Sequence, residues 1–354
     1  MKKLFLAVLL LTAAMLSKPL WEDEAKQLTA FEFLAPLQEA AEGAKELTRR
    51  VTEQSAVLPA PAAPHDLDPT EAVFAIGNVT LGMTKEEAQA EVGLPLRLMQ
   101  NEYGTRWHSY HQDYQNFMLL SYDENARVNG MFTNQDMFVS AKGITMNSTR
   151  EEVRGLLGAP LEYLQKGNIQ YLFDSKDQYD VFRTEDAYIT IFYDLHEKNT
   201  VTAVQVISDD LENQRPAIYA MPDEQLKEGY EMLLFELTNS ARIQRGLPLL
   251  AWDEDTRAVG RKHSVEMAEN SYFSHTNLAG LSPFERMQAG GVEFYLAGEN
   301  LAYGQYSSIF AHEGLMNSAG HRENILKPAF RYLGVGVSFN KEAQPFFTAD
   351  FFDK

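Results

Sequence analysis

The sequence of 354 residues contains no cysteine. Its domains must therefore be stabilised by packing rather than by disulfides, which are common in exported proteins. The same absence excludes thiol nucleophiles, thiolate zinc sites and lipid attachment to cysteine. An exported chain without cysteine fits a bacterium that does not rely on an oxidising periplasm.

Positive charge is also scarce. Lys and Arg number 31 against 50 Asp and Glu, which gives a formal net charge of −19 at pH 7. No Lys/Arg-rich run offsets this field locally. Because such a chain repels phosphate backbones and anionic membrane surfaces, nucleic acid is not an expected partner.

The N-terminus carries an apolar run that is short for a bilayer span. Met1-Lys2-Lys3 is followed by about thirteen largely apolar residues, LFLAVLLLTAAML, the length of the apolar region of a secretory signal. Export to the medium or the cell surface is therefore expected. The next residues, SKPLWEDE, lack a clean small-x-small cleavage site, so cleavage and retention as a membrane anchor both stay open.

Length and composition indicate two domains after an N-terminal extension. Residues 1–20 are the signal peptide or anchor. Residues 21–70 are a charged helical spacer followed by a Pro/Ala-rich linker, SAVLPAPAAPHDLDPT. The first domain spans residues 71–212 and the second spans residues 226–354.

The first domain contains an internal repeat, in which TKEEAQAEVGLP at 84–95 aligns with TREEVRGLLGAP at 149–160. Each copy predicts a short helix that is N-capped by Thr and ended by Gly and then Pro. Strand-like runs follow in both copies, FMLLSYD at 117–123 and YITIFYD at 188–194. One copy is too small to bury its sheet face, so two copies should pack as one helix-plus-antiparallel-meander domain, a docking surface without a catalytic constellation.

The second domain combines long helices with short apolar strands. EGYEMLLFELTNSARIQRG predicts an amphipathic helix with Gly246 as its stop, and DEDTRAVGRKHSVEMAEN predicts a second helix. SSIFAHEGLMNSAGH predicts a helix that ends at His321, and YLGVGVSFN and QPFFTADFF predict strands. This order indicates an α+β chain whose second domain is an α-β-α sandwich.

Three polar residues of the second domain, His275, Glu299 and His321, lie on segments flanked by apolar or small residues. Two imidazoles and a carboxylate are a common zinc ligand set, and equally an acid/base pair with an orienting partner. No His-Glu-x-x-His is present and the three residues are far apart in the sequence, so their spacing does not distinguish a zinc site from an acid/base pair. Three unrelated surface side chains are the other interpretation.

The second domain resembles a CAP domain, the fold shared by cysteine-rich secretory, antigen 5 and pathogenesis-related 1 proteins, in its cysteine-free bacterial form. The matching elements occur in order along the domain: LTNSAR at 237–242, LAWDEDTRAVGRKHSVEMAENSYFSHTN at 250–277, SPFERM at 282–287, GENLA at 298–302, NSAGHRENIL at 317–326 and LGVGV at 333–337. The duplicated first domain resembles the CAP-associated N-terminal domain of Bacillus-type secreted proteins.

The resemblance implies a cleft lined by two His and two Glu. It assigns the first His to His275, the first Glu to Glu299 and the second His to His321. Ser318 stands where the family has its second Glu, which puts a four-residue mechanism in doubt. Glu313 and His312, about one turn earlier, are further candidates for the cleft.

The cleft carries two further sets of expectations. His275 and His321 are the candidate ligands for zinc or another divalent cation, and Glu299 is the candidate catalytic residue. Gly320 is expected to let the backbone turn at a helix end, the segment 324–326 to anchor that turn to the core, and Arg322 either to brace a carboxylate or to lie on the surface.

Three functions fit these features. The preferred one is a non-catalytic extracellular binding module for a lipid, cell-wall, protein or metal ligand, as the resemblance implies. The alternative is a metal-dependent hydrolase of peptide or cell-wall material, in which Glu299 takes the proton. A serine hydrolase is weaker because Gly-x-Ser-x-Gly is absent. The third is a structural or regulatory envelope protein whose cleft is a remnant.

Overall fold

The structure is a computed structural model that describes residues 58–63, 65–184 and 186–354. The predicted signal peptide or anchor, the helical spacer and the start of the linker lie outside these residues, so those assignments stay predictions. Within the described ranges, no helix combines the length and the apolar character needed to cross a bilayer.

A seven-stranded sheet with the order β2-β3-β4-β5-β11-β10-β9 dominates the N-terminal domain, and every neighbouring pair is antiparallel. Its strands are β2 (Arg97–Gln100), β3 (Arg106–Gln112), β4 (Gln115–Tyr122), β5 (Val128–Thr133), β9 (Tyr179–Arg183), β10 (Ala187–Asp194) and β11 (Thr200–Ser208). Two short pairs accompany it: β1 (Ala75–Ile76) with β6 (Phe138–Val139), and β7 (Tyr163–Lys166) with β8 (Ile169–Leu172). The two strands predicted from FMLLSYD and YITIFYD are thus confirmed as β4 and β10.

Two short helices follow the predicted capping rules. In α1 (Lys85–Val92), the Thr84 hydroxyl accepts from the Glu87 backbone N–H, and the Glu87 carboxylate accepts from the Thr84 backbone N–H. Thr149 and Glu152 repeat this capping box in α2 (Arg150–Leu157). Both predicted helices are confirmed, while the duplication itself stays a prediction.

The large sheet is buried on both faces. Along β4, Met118 and Leu120 belong to the core beneath α1 and α2, whereas Phe117 and Leu119 pack with Leu233 and other residues of the C-terminal domain. A strand that is covered on one face needs apolar residues only at alternate positions, whereas β4 is covered on both faces and needs them at successive positions. This explains its uninterrupted apolar run. The N-terminal sheet therefore depends on the C-terminal domain for part of its core.

The described part of the Pro/Ala-rich linker is fixed to the sheet. The described residues of this stretch, 58–63 and 65–70, form no helix or strand. Gln115 accepts a hydrogen bond from the Ala62 N–H at 2.9 Å and donates to the Ala60 carbonyl at 2.9 Å, and Asn116 donates to the Ala63 carbonyl at 2.8 Å. None of these described residues is buried, and the stretch lies along the start of β4.

The C-terminal domain contains a four-stranded sheet with the order β12-β14-β15-β13. Its strands are β12 (Ala251–Trp252), β13 (Leu296–Tyr303), β14 (Tyr332–Phe339) and β15 (Pro345–Asp353). Its helices, after a connecting α3 (Asp209–Gln214), are α4 (Glu224–Ile243), α5 (Glu254–Asn270), α6 (Pro283–Ala289), α7 (Ser308–Asn317) and α8 (Ala319–Ile325). Gly246, in the left-handed region at φ 64°, follows α4 as predicted.

Alternate residues of β15 face different helices. Phe347 and Phe351 pack in a cluster with residues of α4, α7 and α8, whereas Phe346 and Phe352 pack with residues of α5 and α6. Helices thus cover both faces of the sheet. The predicted α+β class and α-β-α layering are confirmed; the domain boundaries at 212 and 226 stay predictions.

Candidate functional site

His275 lies on the loop that joins α5 to α6. His263 of α5, which is buried, contacts the Ser274 carbonyl through Nε2 at 2.9 Å, and Arg286 of α6 donates to the His275 carbonyl at 2.6 Å. The loop backbone is therefore fixed on both sides of the imidazole. The His275 side chain is 54% exposed, so its ring remains accessible.

Glu299 lies in β13 with both carboxylate oxygens engaged. Oε1 is 2.7 Å from Nδ1 of His275, and Oε2 contacts the guanidinium of Arg286. The Glu299 side chain is 1% exposed. The contact with the carboxylate fixes the orientation of the His275 ring through Nδ1. Glu299 orients an imidazole here rather than facing solvent itself.

The segment that carries His321 differs from the prediction. The predicted helix divides at Ser318, where α7 ends and α8 begins, so His321 lies within α8 rather than at a helix end. Gly320 is also inside α8 and is absent from the positive-φ residues, so its predicted role in a turn is wrong. The change of direction occurs at Ser318, whose ψ of 119° is extended.

Two asparagines connect α8 to β13. Asn300 donates to the His321 carbonyl at 2.9 Å, and Asn324 donates to the Asn300 carboxamide oxygen at 2.9 Å. Ile325 is buried in the core. The expectation that the segment 324–326 anchors this region is therefore confirmed. Burial, and next the charge of His275, lowers the pKa of His321, which favours the neutral imidazole at neutral pH.

The N-terminal domain fixes the corner between α7 and α8. Arg322 donates to Asp194 at the end of β10 at 2.8 Å, so it braces a carboxylate. Asn317 accepts from the Leu195 N–H at 2.8 Å and donates to the Tyr193 carbonyl at 2.9 Å. The position of Ser318 and His321 therefore depends on residues more than 120 positions earlier in the chain.

Replacing Asp194 with alanine is expected to loosen this corner. Asp194 is buried, and its loss would leave Arg322, only 15% exposed, without its carboxylate. We expect a loss of roughly 2 to 4 kcal/mol in the free energy of unfolding, measured by urea denaturation, with shifted NMR signals of His321. The control is Glu323→Ala, because Glu323 is 77% exposed and 3.9 Å from Lys327. Equal stability of the two variants would contradict the bracing role.

A pocket of about 530 Å³ opens beside this corner and is lined by both domains. Tyr179 and Phe192 of the N-terminal sheet meet Phe310 of α7, with ring centroids of both pairs 5.1 Å apart. Tyr306 stacks edge-on against Phe310 at 5.1 Å. The volume lies in the range of small-molecule sites.

The six predicted cleft residues divide between the pocket and its surroundings. Glu313, Ser318 and His321 line the pocket, whereas His275, Glu299 and His312 do not. His312 is 1% exposed and its Nδ1 lies 3.1 Å from Oε1 of Glu313. It packs in the interior beneath the pocket wall.

Comparison with known proteins identifies both domains. Residues 81–217 match the family model described as CAP-associated N-terminal, and residues 235–351 match the model of the cysteine-rich secretory protein family, CAP. The chain is a CAP-domain protein with a CAP-associated N-terminal domain.

Two proteins of Bacillus subtilis are similar to this chain, over different lengths. The chain is 29% identical over 286 residues to the uncharacterized membrane protein YlbC of Bacillus subtilis strain 168, with 75% of this chain and 82% of that protein covered. It is 41% identical over 107 residues to the uncharacterized protein YkwD of the same strain, with 30% of this chain and 42% of that protein covered.

Two crystal structures share the fold. An extracellular protein containing a SCP domain from Bacillus anthracis strain Ames superposes with a TM-score of 0.67 at 29% identity, covering 83% of this chain and 100% of that chain. A cysteine-rich secretory protein from Staphylococcus aureus gives a TM-score of 0.61 at 14% identity, covering 77% of this chain and 91% of that chain. The predicted CAP fold is confirmed.

The residues of this CAP domain fit a metal ion poorly. Among the described residues, no group of three or more His, Asp and Glu side chains is placed to bind one. Glu299 already contacts His275 and Arg286, and the guanidinium repels a second cation beside that carboxylate. Without Glu299, the two candidate ligands His275 and His321 leave zinc short of its usual ligand number.

Sequence reasoning missed the pocket wall that comes from the N-terminal domain. Tyr179 and Phe192 lie on adjacent strands of the large sheet and contact the CAP domain at Phe310. No local pattern marks these aromatics, since apolar residues in a strand also predict ordinary core. Arg286, within the matched SPFERM element, was missed as the partner of Glu299.

Proposed function

We propose that the protein is a secreted or cell-surface binding protein that takes a small organic ligand into the pocket between its two domains. The observation that carries this proposal is the pocket of about 530 Å³ itself, with aromatic walls from both domains and Glu313, Ser318 and His321 among its polar groups. The extracellular description of the Bacillus anthracis relative supports an exported location. The CAP-associated domain then forms part of the site in addition to any docking surface it offers.

A binding function without turnover agrees with the chemistry of Glu299. A general base needs a free oxygen that reaches the substrate, but both oxygens of Glu299 contact protein groups and the side chain is 1% exposed. The metal-dependent hydrolase remains the alternative. Its direct test is a calorimetric zinc titration of the wild type and the His275→Ala, His321→Ala double variant, in which saturable binding lost in the variant would favour it.

The binding proposal is tested by closing the pocket. Gly314 of α7 lines it, and a Cβ there would meet the Gln178 side chain at an ordinary 3.6 Å, so the backbone tolerates a side chain at this position. Gly314→Phe should fill the pocket without unfolding the helix. The probe is the neutral dye N-phenyl-1-naphthylamine, whose fluorescence rises in apolar surroundings.

We expect saturable one-site binding of the dye to the wild type and at least about a tenfold loss in Gly314→Phe. Gly320→Phe is the matched control, because Gly320 lies on the neighbouring helix with nothing within 4 Å of an added Cβ and does not line the pocket. Equal binding to both variants, or no binding to the wild type, would overturn the proposal.

A further inference from the structure

Two aromatic side chains on the rim of the pocket are exposed. Phe273 is 49% exposed and Tyr303 is 40% exposed, and their ring centroids are 5.9 Å apart at an angle of 38°. Both line the pocket. Exposed apolar surface beside a pocket is typical of a contact site for a ligand.

This aromatic pair, the rim platform, is fixed in place. The ring of Tyr303 packs on buried Phe346 with centroids 4.3 Å apart. Its hydroxyl donates to the Gln344 carboxamide at 2.6 Å. A platform that is ordered before binding loses little side-chain entropy when a ligand stacks on it.

The lining residue Gln305 also carries a hydrogen-bond acceptor without a partner in the described part of the chain. Oε1 of Gln305, two residues after Tyr303, is buried and has no hydrogen-bond partner among the described residues. An unsatisfied buried acceptor costs free energy, and this cost would be recovered if the Gln305 amide turned toward a hydroxyl or amide N–H of a ligand in the pocket. Gln178 and Ser318 add further neutral polar groups to the lining.

The charges in the lining disfavour an anionic ligand. Its sole Lys or Arg is Lys176, which is 73% exposed and 3.9 Å from Asp174. The Glu313 carboxylate is buried at the wall, and His321 favours its neutral form. A carboxylate or phosphate would find no buried cation in this lining, so an anionic ligand is disfavoured.

We infer that the ligand is a neutral saccharide chain, with the apolar C–H faces of its rings on the rim platform and its hydroxyl or N-acetyl groups toward Gln305. This inference rests on the proposed function. Sugars combine apolar ring faces with many donors, which matches aromatic surfaces interleaved with amide and hydroxyl groups. An acyl chain would leave the Gln305 acceptor unpaired and is therefore a poorer match.

Calorimetric titration of the full chain with triacetylchitotriose and maltotriose tests the ligand class. We expect at least one trisaccharide to bind, and Phe273→Ala and Tyr303→Ala each to weaken its binding roughly three- to tenfold. Leu278→Ala is the control, because Leu278 is 62% exposed on the same loop as Phe273 and does not line the pocket. Both platform residues are exposed, so the variants should fold like the wild type, and circular dichroism checks that they do.

The outcomes separate this inference from the proposed function. If the naphthylamine dye fills the pocket but neither trisaccharide binds, or both bind the platform variants as tightly as the wild type, the saccharide assignment is overturned and the binding function stands. If a fatty acid or an apolar peptide displaces the dye and neither sugar does, the saccharide assignment is likewise overturned and the binding function stands. If neither dye nor sugar binds, both are overturned.

Discussion

Replacing Gly336 with alanine is expected to prevent folding, or to lower the free energy of unfolding by at least about 4 kcal/mol. A Cβ at this position of β14 would lie 1.9 Å from the Arg261 nitrogen and 2.3 Å from the Gly260 carbonyl carbon. Both are backbone atoms of α5, so no side-chain rotation relieves the clash. Helix α5 would have to move away from the sheet.

The matched control is Gly320→Ala, whose effect should have the opposite sign. Gly320 lies inside α8, and an added Cβ there meets nothing within 4 Å. Alanine should therefore stabilise the helix by about 0.5 to 1 kcal/mol. Urea denaturation of the two variants beside the wild type measures both effects. A Gly336→Ala variant as stable as the wild type would mean that α5 and β14 are not in close contact.

These two glycines show where sequence reasoning succeeds and where it fails. Gly336 belongs to LGVGV, an element recognised by family resemblance. A glycine is required there because α5 passes close to β14, and no local sequence pattern indicates that contact. For Gly320, the backbone freedom of glycine predicts a turn at a helix end. The helix actually breaks at Ser318, next to Asn317, which forms hydrogen bonds with the N-terminal domain. The sequence alone does not predict these bonds between distant residues.

Features set by local chemistry were predictable. The helix starts at Thr84 and Thr149 follow from a cap and an acid three residues later, both within one turn. The strand at 188–194 followed from its apolar residues. By contrast, the contact of Arg322 with Asp194 joins residues 128 positions apart. Spacing reveals such pairs only when a fold is already known.

The same distinction changes the interpretation of the N-terminal domain. The sequence of this domain contains no catalytic constellation and therefore predicts only a docking surface. In the structure its sheet shares a core with α4, its strand β10 contacts the corner at Asn317, and its aromatics form one wall of the pocket. A CAP domain separated from it would lose that wall.

Replacing Arg286 with methionine is the second change expected to have a large effect. The Arg286 side chain is 7% exposed and contacts Glu299, which is 1% exposed. Asp350, also 1% exposed, is directly opposite Glu299 in the pairing of β13 with β15. Without the guanidinium, buried acidic groups would lie together with no cation. We expect a loss of about 3 to 5 kcal/mol in the free energy of unfolding.

The loss should grow with pH. Burial, and next the charge of Glu299, raises the pKa of Asp350 well above its usual value, while Arg286 lowers it. An acid whose pKa is raised by folding stabilises the protein below its unfolded pKa, near 3.9 for Asp, and this contribution is lost as pH rises. Removing Arg286 raises that pKa further. At pH 4.5 a proton can neutralise a buried carboxylate that has lost Arg286 more readily than at pH 7.5, so the difference between wild type and variant should be larger at pH 7.5.

Urea denaturation at both pH values, with Lys262→Met as the control, distinguishes charge from packing. Lys262 is exposed on α5, so its replacement should change stability by less than about 0.5 kcal/mol at either pH. If Arg286→Met costs the same at pH 4.5 and pH 7.5, Arg286 stabilises the site by filling space rather than by neutralising carboxylates. A pH-dependent loss would instead identify its positive charge as the reason that two buried acidic residues can lie beneath His275.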